Sequence, residues 1–197
     1  LGVDPADFAA AWRDAWEPRF DGTLATTADN VRYVARLAGG TPSEAAVERA
    51  VGPRIELMHR LLSPRAGAVA ALGRLKEAGL RLGLISDCSP EIPELWSETE
   101  FAGLIDAALF SCTERMCKPD ARLYRKVADR LRVEPGECLY VGDGGSNELS
   151  GAEDAGMTAV LIRGADDMPD EYRAEAFVWP GRAIDSLDEV LELARGE

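Results

Sequence analysis

A chain of 197 residues is long enough for one well-packed core, or for one core and a small accessory domain. Its formal net charge of -13 and pI near 4.6 leave no basic face for nucleic acid or an anionic membrane surface, so neither is expected as a partner. No apolar run reaches the length of a membrane span and the amino end lacks a secretory pattern. The four cysteines, Cys88, Cys112, Cys117 and Cys138, show no paired C-x-x-C spacing, and together these features predict a cytoplasmic protein with reduced thiols. The single histidine, His59, excludes a mechanism or metal site that needs two.

Residues 1 to about 62 read as helices only. Asp4-Pro5 is a helix start, and Phe8, Trp12 and Trp16 recur every four residues until Pro18. Trp12, Arg13, Trp16 and Arg19 on this helix read as packing or solvent-facing residues, or else as an arginine grip for an anionic group. A second helix is predicted from Thr27 past Val31, Val34 and Leu37 to Gly39-Gly40. Thr41-Pro42-Ser43-Glu44 has the form of a capping box and opens a third, which Gly52-Pro53 is expected to kink or split before Leu57 to Leu62. These residues predict a small all-helical module over 1–62.

From Ser63-Pro64 onward, helix and strand alternate. Helix Ala66 to Ala78 carries Val69, Leu72 and Leu75 on one face, and Arg81 to Ile85 is a buried strand that ends at Ser86-Asp87. A helix around Pro90 to Thr99, a strand Ala107 to Ser111 and a loop Cys112 to Pro119 containing Lys118 come next. Helix Ala121 to Arg132 leads into the strand Cys138 to Val141, which Gly142-Asp143-Gly144-Gly145 breaks sharply. Ser146 is placed to cap a helix carrying Leu149, Ala152 and Ala155 that stops at Gly156. Strand Thr158 to Ile162, a short strand Ala176 to Trp179 and a helix Ser186 to Ala194 complete the chain. The alternation predicts an α/β fold, a doubly wound parallel sheet over 63–197 beside the helical module.

Three of these strand ends or adjoining loops present polar groups: Ser86-Asp87, Lys118, and Asp143 with Glu148. The carboxyl ends of parallel strands are where ligands collect. A hydroxyl, an ammonium and two acids beside a glycine-rich turn can hydrogen-bond a phosphoryl oxygen, neutralise its charge and hold Mg²⁺. Singly, Ser86 also reads as a turn residue, Lys118 as a solvated loop lysine, and Asp143 and Glu148 as helix-capping acids.

The stretches LGLISDCS, CKPDARLY and YVGDGGSNELSGAEDAGM resemble the second, third and fourth motifs of the haloacid dehalogenase-like hydrolase superfamily, over about residues 63 to 195, and residues 1–62 resemble its inserted helical cap. The resemblance implies a Rossmann-like core in which Ser86 and the Asp87 amide bind phosphoryl oxygens and Lys118 steadies the charge of nucleophile and phosphoryl group. It further implies that Asp143 and Glu148 hold Mg²⁺. Glu148 stands where the family usually has aspartate. The family's nucleophile is the first aspartate of a D-x-D motif on a first strand, with the second as acid/base, and this strand is expected ahead of Leu1, on about 10 to 20 further residues, or from another chain. It would lie centrally, between the strand ending at Ser86 and the one ending at Asp143. Phe20-Asp21-Gly22-Thr23-Leu24 imitates the motif's tail, but Pro18 and the charges before it argue against a buried strand, and it reads as a turn.

The resemblance implies a Mg²⁺-dependent phosphatase for a small phosphorylated metabolite, working through an aspartyl-phosphate as a monomer or homodimer and inactive without the first strand. The alternatives are a 2-haloacid dehalogenase, which uses the same nucleophile without metal and usually lacks the Gly142-Asp143 pair, and a non-catalytic binding protein.

Overall fold

The computed structural model describes residues 1–164 and 171–195. Helices α1 (Pro5–Asp14), α2 (Trp16–Phe20), α3 (Thr27–Leu37) and α4 (Glu44–Leu61) come first. They are followed by α5 (Ala68–Glu77), β1 (Gly83–Ser86), α6 (Glu91–Leu95), β2 (Ala107–Phe110), α7 (Ser111–Glu114) and α8 (Ala121–Leu131). The chain continues through β3 (Leu139–Gly142), α9 (Glu148–Asp154), β4 (Thr158–Ile162), α10 (Ala174–Val178), β5 (Ala183–Ile184) and α11 (Asp188–Arg195). Two compact units divide it. The first comprises Leu1–Ser63, Ser86–Ala102 and Phe110–Cys117, and the second Pro64–Ile85, Gly103–Leu109 and Lys118–Glu197.

In the first unit the Asp4 carboxylate accepts the Ala6 amide at 2.8 Å and Pro5 opens α1, whose apolar stripe puts Ala11 and Ala15 against Val34 of α3 with Phe8 and Trp12 around them. Ser43, not Thr41, caps α4. The expected break at Gly52-Pro53 does not occur, and α4 runs unbroken for 18 residues. Arg49, Gly52 and Pro53 are exposed, so the carbonyl that proline leaves without its amide partner meets water, and Gly52 offers no side chain for the proline ring to strike. Trp16-Glu17-Pro18 is helical, and Asp21-Gly22-Thr23 is a turn: the Asp21 carboxylate accepts the Thr23 amide at 2.7 Å, and Gly22 sits at φ +80°.

The second unit is α/β. Strand β3 pairs in parallel with β4 in the register Leu139↔Thr158 to Gly142↔Leu161, and β4 with β5 through Leu161↔Ala183 and Ile162↔Ile184. Alternation splits the side chains between two faces. Val160, with Leu139, Val141 and Ile162, packs against Leu75 of α5 and Val190 of α11. On the other face Tyr140 meets Tyr124 of α8 edge-on, ring centroids 5.3 Å apart. Helices on both faces of a parallel sheet are the doubly wound arrangement predicted from the alternation. Strands β1 and β2 form a separate two-stranded sheet. β1 is nowhere fully buried and β3 is buried only at Gly142, whereas the middle three residues of β4 are all buried.

Two further local expectations are corrected. Ser111 starts α7 where a strand end and loop were predicted, so helix begins as soon as the β2 pairing stops. Residues Ala176 to Trp179, predicted as a strand, belong largely to α10, and the fifth strand is Ala183–Ile184. Apolar runs of four residues carry no period long enough to separate the two states. Leu161, 1% exposed, is central to β4, and Leu161→Ala should lower unfolding stability by about 2–5 kcal/mol in a denaturant titration, whereas a loss under about 0.5 kcal/mol would contradict this burial.

Candidate functional site

The site is built from the end of β3. Leu139 and Val141 are committed to one face, so Tyr140 and Gly142 point to the other, and there they meet Glu148 at the start of α9. The Glu148 side chain is 5% exposed and that of Lys118 is 11% exposed; Lys118 Nζ lies 2.6 Å from Glu148 Oε2. Tyr140 Oη donates to the same oxygen at 2.8 Å, and the Gly144 amide donates to Oε1 at 3.1 Å. Tyr124 Oη donates to the Glu148 backbone carbonyl at 3.0 Å. A side chain at Gly142 would run into the Glu148 carboxylate, so this glycine serves close approach.

Asp143 stands one residue beyond the strand. Its Oδ1 accepts the Gly145 amide at 3.1 Å and its Oδ2 lies 3.0 Å from Arg173 Nε. Consecutive amides of one glycine turn thus point at the two acids, and each acid has a cation beside it. Ser146, predicted to cap α9, does not. It sits at φ +54° and donates its hydroxyl to Tyr172 Oη at 2.9 Å, while the Leu149 and Ser150 amides donate to Glu175 at 2.8 and 3.0 Å. The carboxylate of a distant helix does the capping because the left-handed turn of Ser146 and Asn147 leaves no extended residue at the helix start.

Ser86 is the last residue of β1 and the first of its segment in the first unit, next to Asp87 and Cys88. The Cys88 amide donates to Ser111 Oγ at 2.9 Å, and that hydroxyl is 3.4 Å from the Cys88 carbonyl. The buried Cys88 thiol donates to Cys112; this bond and burial push Cys88 far above the ordinary thiol range, and the same bond lowers Cys112. Burial, then the charge of Asp87, pushes Cys117 up to about 11. The second unit therefore brings Lys118, Asp143 and Glu148 to one turn, and Ser86 and Asp87 belong to the first unit. Sequence reasoning missed Tyr140, Arg173 and Glu175. Tyr140 was discoverable, since it shares the strand face of Gly142; nothing local marks the other two.

Oxygen donors of carboxylates suit a hard cation. Asp143 is part-exposed at a strand end and its carboxylate could help hold one, with Arg173 Nε now 3.0 Å from its Oδ2. Both Glu148 oxygens, by contrast, are engaged by Lys118, Tyr140 and the Gly144 amide. Among the described residues no group of three or more histidine, cysteine, aspartate or glutamate side chains is placed to hold a metal ion.

Comparison with known proteins adds the following. A family model described as haloacid dehalogenase-like hydrolase matches residues 6–156. A glyceraldehyde 3-phosphate phosphatase of Methanopyrus kandleri is 29% identical over 163 residues, 81% of this chain and 69% of that protein. (S)-2-haloacid dehalogenase 1 of a Pseudomonas species is 31% identical over 150 residues, 71% of this chain and 63% of that protein. Other relatives are matched over only 35% and 41% of their length. The crystal structure of a 2-haloacid dehalogenase from Pseudomonas syringae superposes with a TM-score of 0.71 at 21% identity, covering 99% of this chain and 83% of that one, which is a likeness of fold.

Two predictions test this geometry. Tyr140→Phe removes a donor to a buried carboxylate and should cost about 1.5–3 kcal/mol in unfolding stability; a change within about 0.5 kcal/mol would contradict the contact. Because a lowered pKa raises the thiolate fraction at any pH below it, iodoacetamide near neutral pH should alkylate Cys112 before Cys88 and Cys117, with the order read by peptide mass mapping.

Proposed function

The chain belongs to the haloacid dehalogenase-like hydrolases, and from that premise we propose that it is a Mg²⁺-dependent phosphatase acting on a small phosphorylated metabolite. The observation that carries this reading is the buried pair of Lys118 with Glu148, 2.6 Å apart beside Asp143, which puts a fixed ammonium and an accessible acid at the carboxyl end of one strand. Asp143 also favours phosphoryl chemistry over carbon–halogen cleavage, because the latter needs no cation and so no acid at that place.

In this reading the aspartate nucleophile of the family attacks phosphorus in line. The second acid of its motif protonates the leaving oxygen and frees the alcohol, and water then attacks the aspartyl-phosphate to release inorganic phosphate. Ser86 Oγ and the Asp87 amide would bind phosphoryl oxygens. Lys118 neutralises negative charge shared by nucleophile and phosphoryl group, and Glu148 holds that ammonium in place with Tyr140. Mg²⁺, which Asp143 would hold, supplies positive charge to a phosphoryl oxygen when bound.

A second reading has an observation of its own. Both acids already face cations, Arg173 and Lys118, which a metal-free 2-haloacid dehalogenase would tolerate, and the Pseudomonas relative is named for that activity.

The assay uses the full-length gene product. Phosphate release from a panel of phosphate monoesters should require Mg²⁺, stop with EDTA, and fall about 10²–10³-fold in kcat for Lys118→Met. Halide release from 2-chloropropionate that EDTA does not affect would reverse the order of the readings. Neither activity, with retained ligand binding, would make this a binding protein.

A further inference from the structure

The helices of the first unit enclose a charge arrangement that the hydrolase reading does not use. Glu91 at the start of α6 is fully buried, and Arg54 of α4 reaches it with Nε at 2.7 Å and a second nitrogen at 2.5 Å. Asn30 Nδ2 lies 3.5 Å from the other carboxylate oxygen. Arg19 of α2 is 5% exposed; one of its terminal nitrogens donates to the Trp12 carbonyl at 2.8 Å, and its Nε is buried with no hydrogen-bond partner. Both guanidinium groups stack on Trp12, with carbons 4.0 Å (Arg19) and 4.5 Å (Arg54) from the ring centroid.

Arg54 is part-buried and paired with Glu91, and the buried Arg19 lies in the field of both. Burial lowers Arg19 to about 10, so it remains charged near neutral pH. A buried guanidinium whose Nε has no hydrogen-bond partner is costly unless an anion lies nearby. Beside the cluster lies a cavity of about 450 Å³, large enough for a small organic molecule. Trp12 and Arg54 line it, Arg13 is also in its wall, and Phe8, Val31 and Leu57 make most of the remainder apolar.

We propose that this cavity is a binding site for a small organic anion, a carboxylate or phosphate monoester on an apolar body, with the apolar part against Phe8, Val31 and Leu57 and the anionic head on Arg54 beside Trp12. Arg54 directs one edge of its guanidinium to Glu91 and keeps further N–H groups for an oxyanion. Arg19, stacked on the same indole, adds positive charge beside it. The proposal does not rest on the phosphatase reading, because every residue it uses belongs to the first unit.

Calorimetric titration of the whole chain with benzoate, phenyl phosphate, inorganic phosphate and benzyl alcohol tests it. Benzoate or phenyl phosphate should bind saturably and at least tenfold tighter than neutral benzyl alcohol, and the better of the two identifies the head group. Inorganic phosphate, with no apolar body, should be weaker than phenyl phosphate. Benzyl alcohol binding as tightly as benzoate, or no binding by either anion, would overturn the proposal without any variant being needed. Arg54→Gln alone would strand Glu91, so the second arm is the pair Arg54→Met with Glu91→Gln, expected to erase the tenfold preference for the anion. Unchanged preference in that folded pair would equally overturn it, and if the pair does not fold the comparison of the four ligands decides alone.

Discussion

The candidate site depends on an ammonium and a carboxylate that have both left water. Desolvating such groups costs several kcal/mol each, and their attraction offsets that only when every remaining donor and acceptor is met. Glu148 satisfies this through three donors, the Lys118 ammonium, the Tyr140 hydroxyl and the Gly144 amide. The requirement propagates outward. Residue 142 must lack a side chain, residue 140 must share its strand face, and α9 must begin at residue 148 so that the carboxylate turns back toward β3. Tyr124 completes the arrangement from α8 by holding the first carbonyl of α9.

A second layer comes from the segment after β4. Tyr172, Arg173 and Glu175 reach, respectively, the Ser146 hydroxyl, the Asp143 carboxylate and the first amides of α9. The glycine-rich turn therefore has its hydrogen bonds supplied from two sides, by β3 below and by this segment, which explains how a stretch with Gly144, Ser146 and Asn147 all at positive φ keeps one conformation. It also sets the electrostatics. Asp143 faces a guanidinium, and a hard cation at that oxygen would replace one positive charge with another.

The order of helices and strands was legible because amphipathic helices of ten or more residues carry several turns of apolar spacing, as Ala121–Leu131 does, and because β3 and β4 are short apolar runs between turn residues. Lys118, Asp143 and Glu148 were legible as residues from their motifs, and their shared turn follows from the strand-then-glycine pattern. What Glu148 touches was not. Its partner Lys118 is thirty positions away, and the choice between binding a metal and binding an ammonium is made by distances that no local pattern encodes. The Ser146 cap failed for a related reason: serine before a helix is a good local signal, but the turn here needs positive φ, and Glu175, 26 positions from Leu149, supplies the missing acceptor. Pro53 is tolerated inside α4 because the carbonyl it leaves without an amide partner meets water and Gly52 before it has no side chain to strike.

A double-mutant cycle in unfolding free energy, built from Lys118→Met, Glu148→Gln and the two together, tests the central pairing most directly. The account predicts that the single changes cost about 3–5 kcal/mol each, that the double change costs clearly less than their sum, and that the coupling exceeds about 2 kcal/mol. Additive effects within about 0.5 kcal/mol would mean that the two side chains do not depend on one another, and would remove the basis for the site described above.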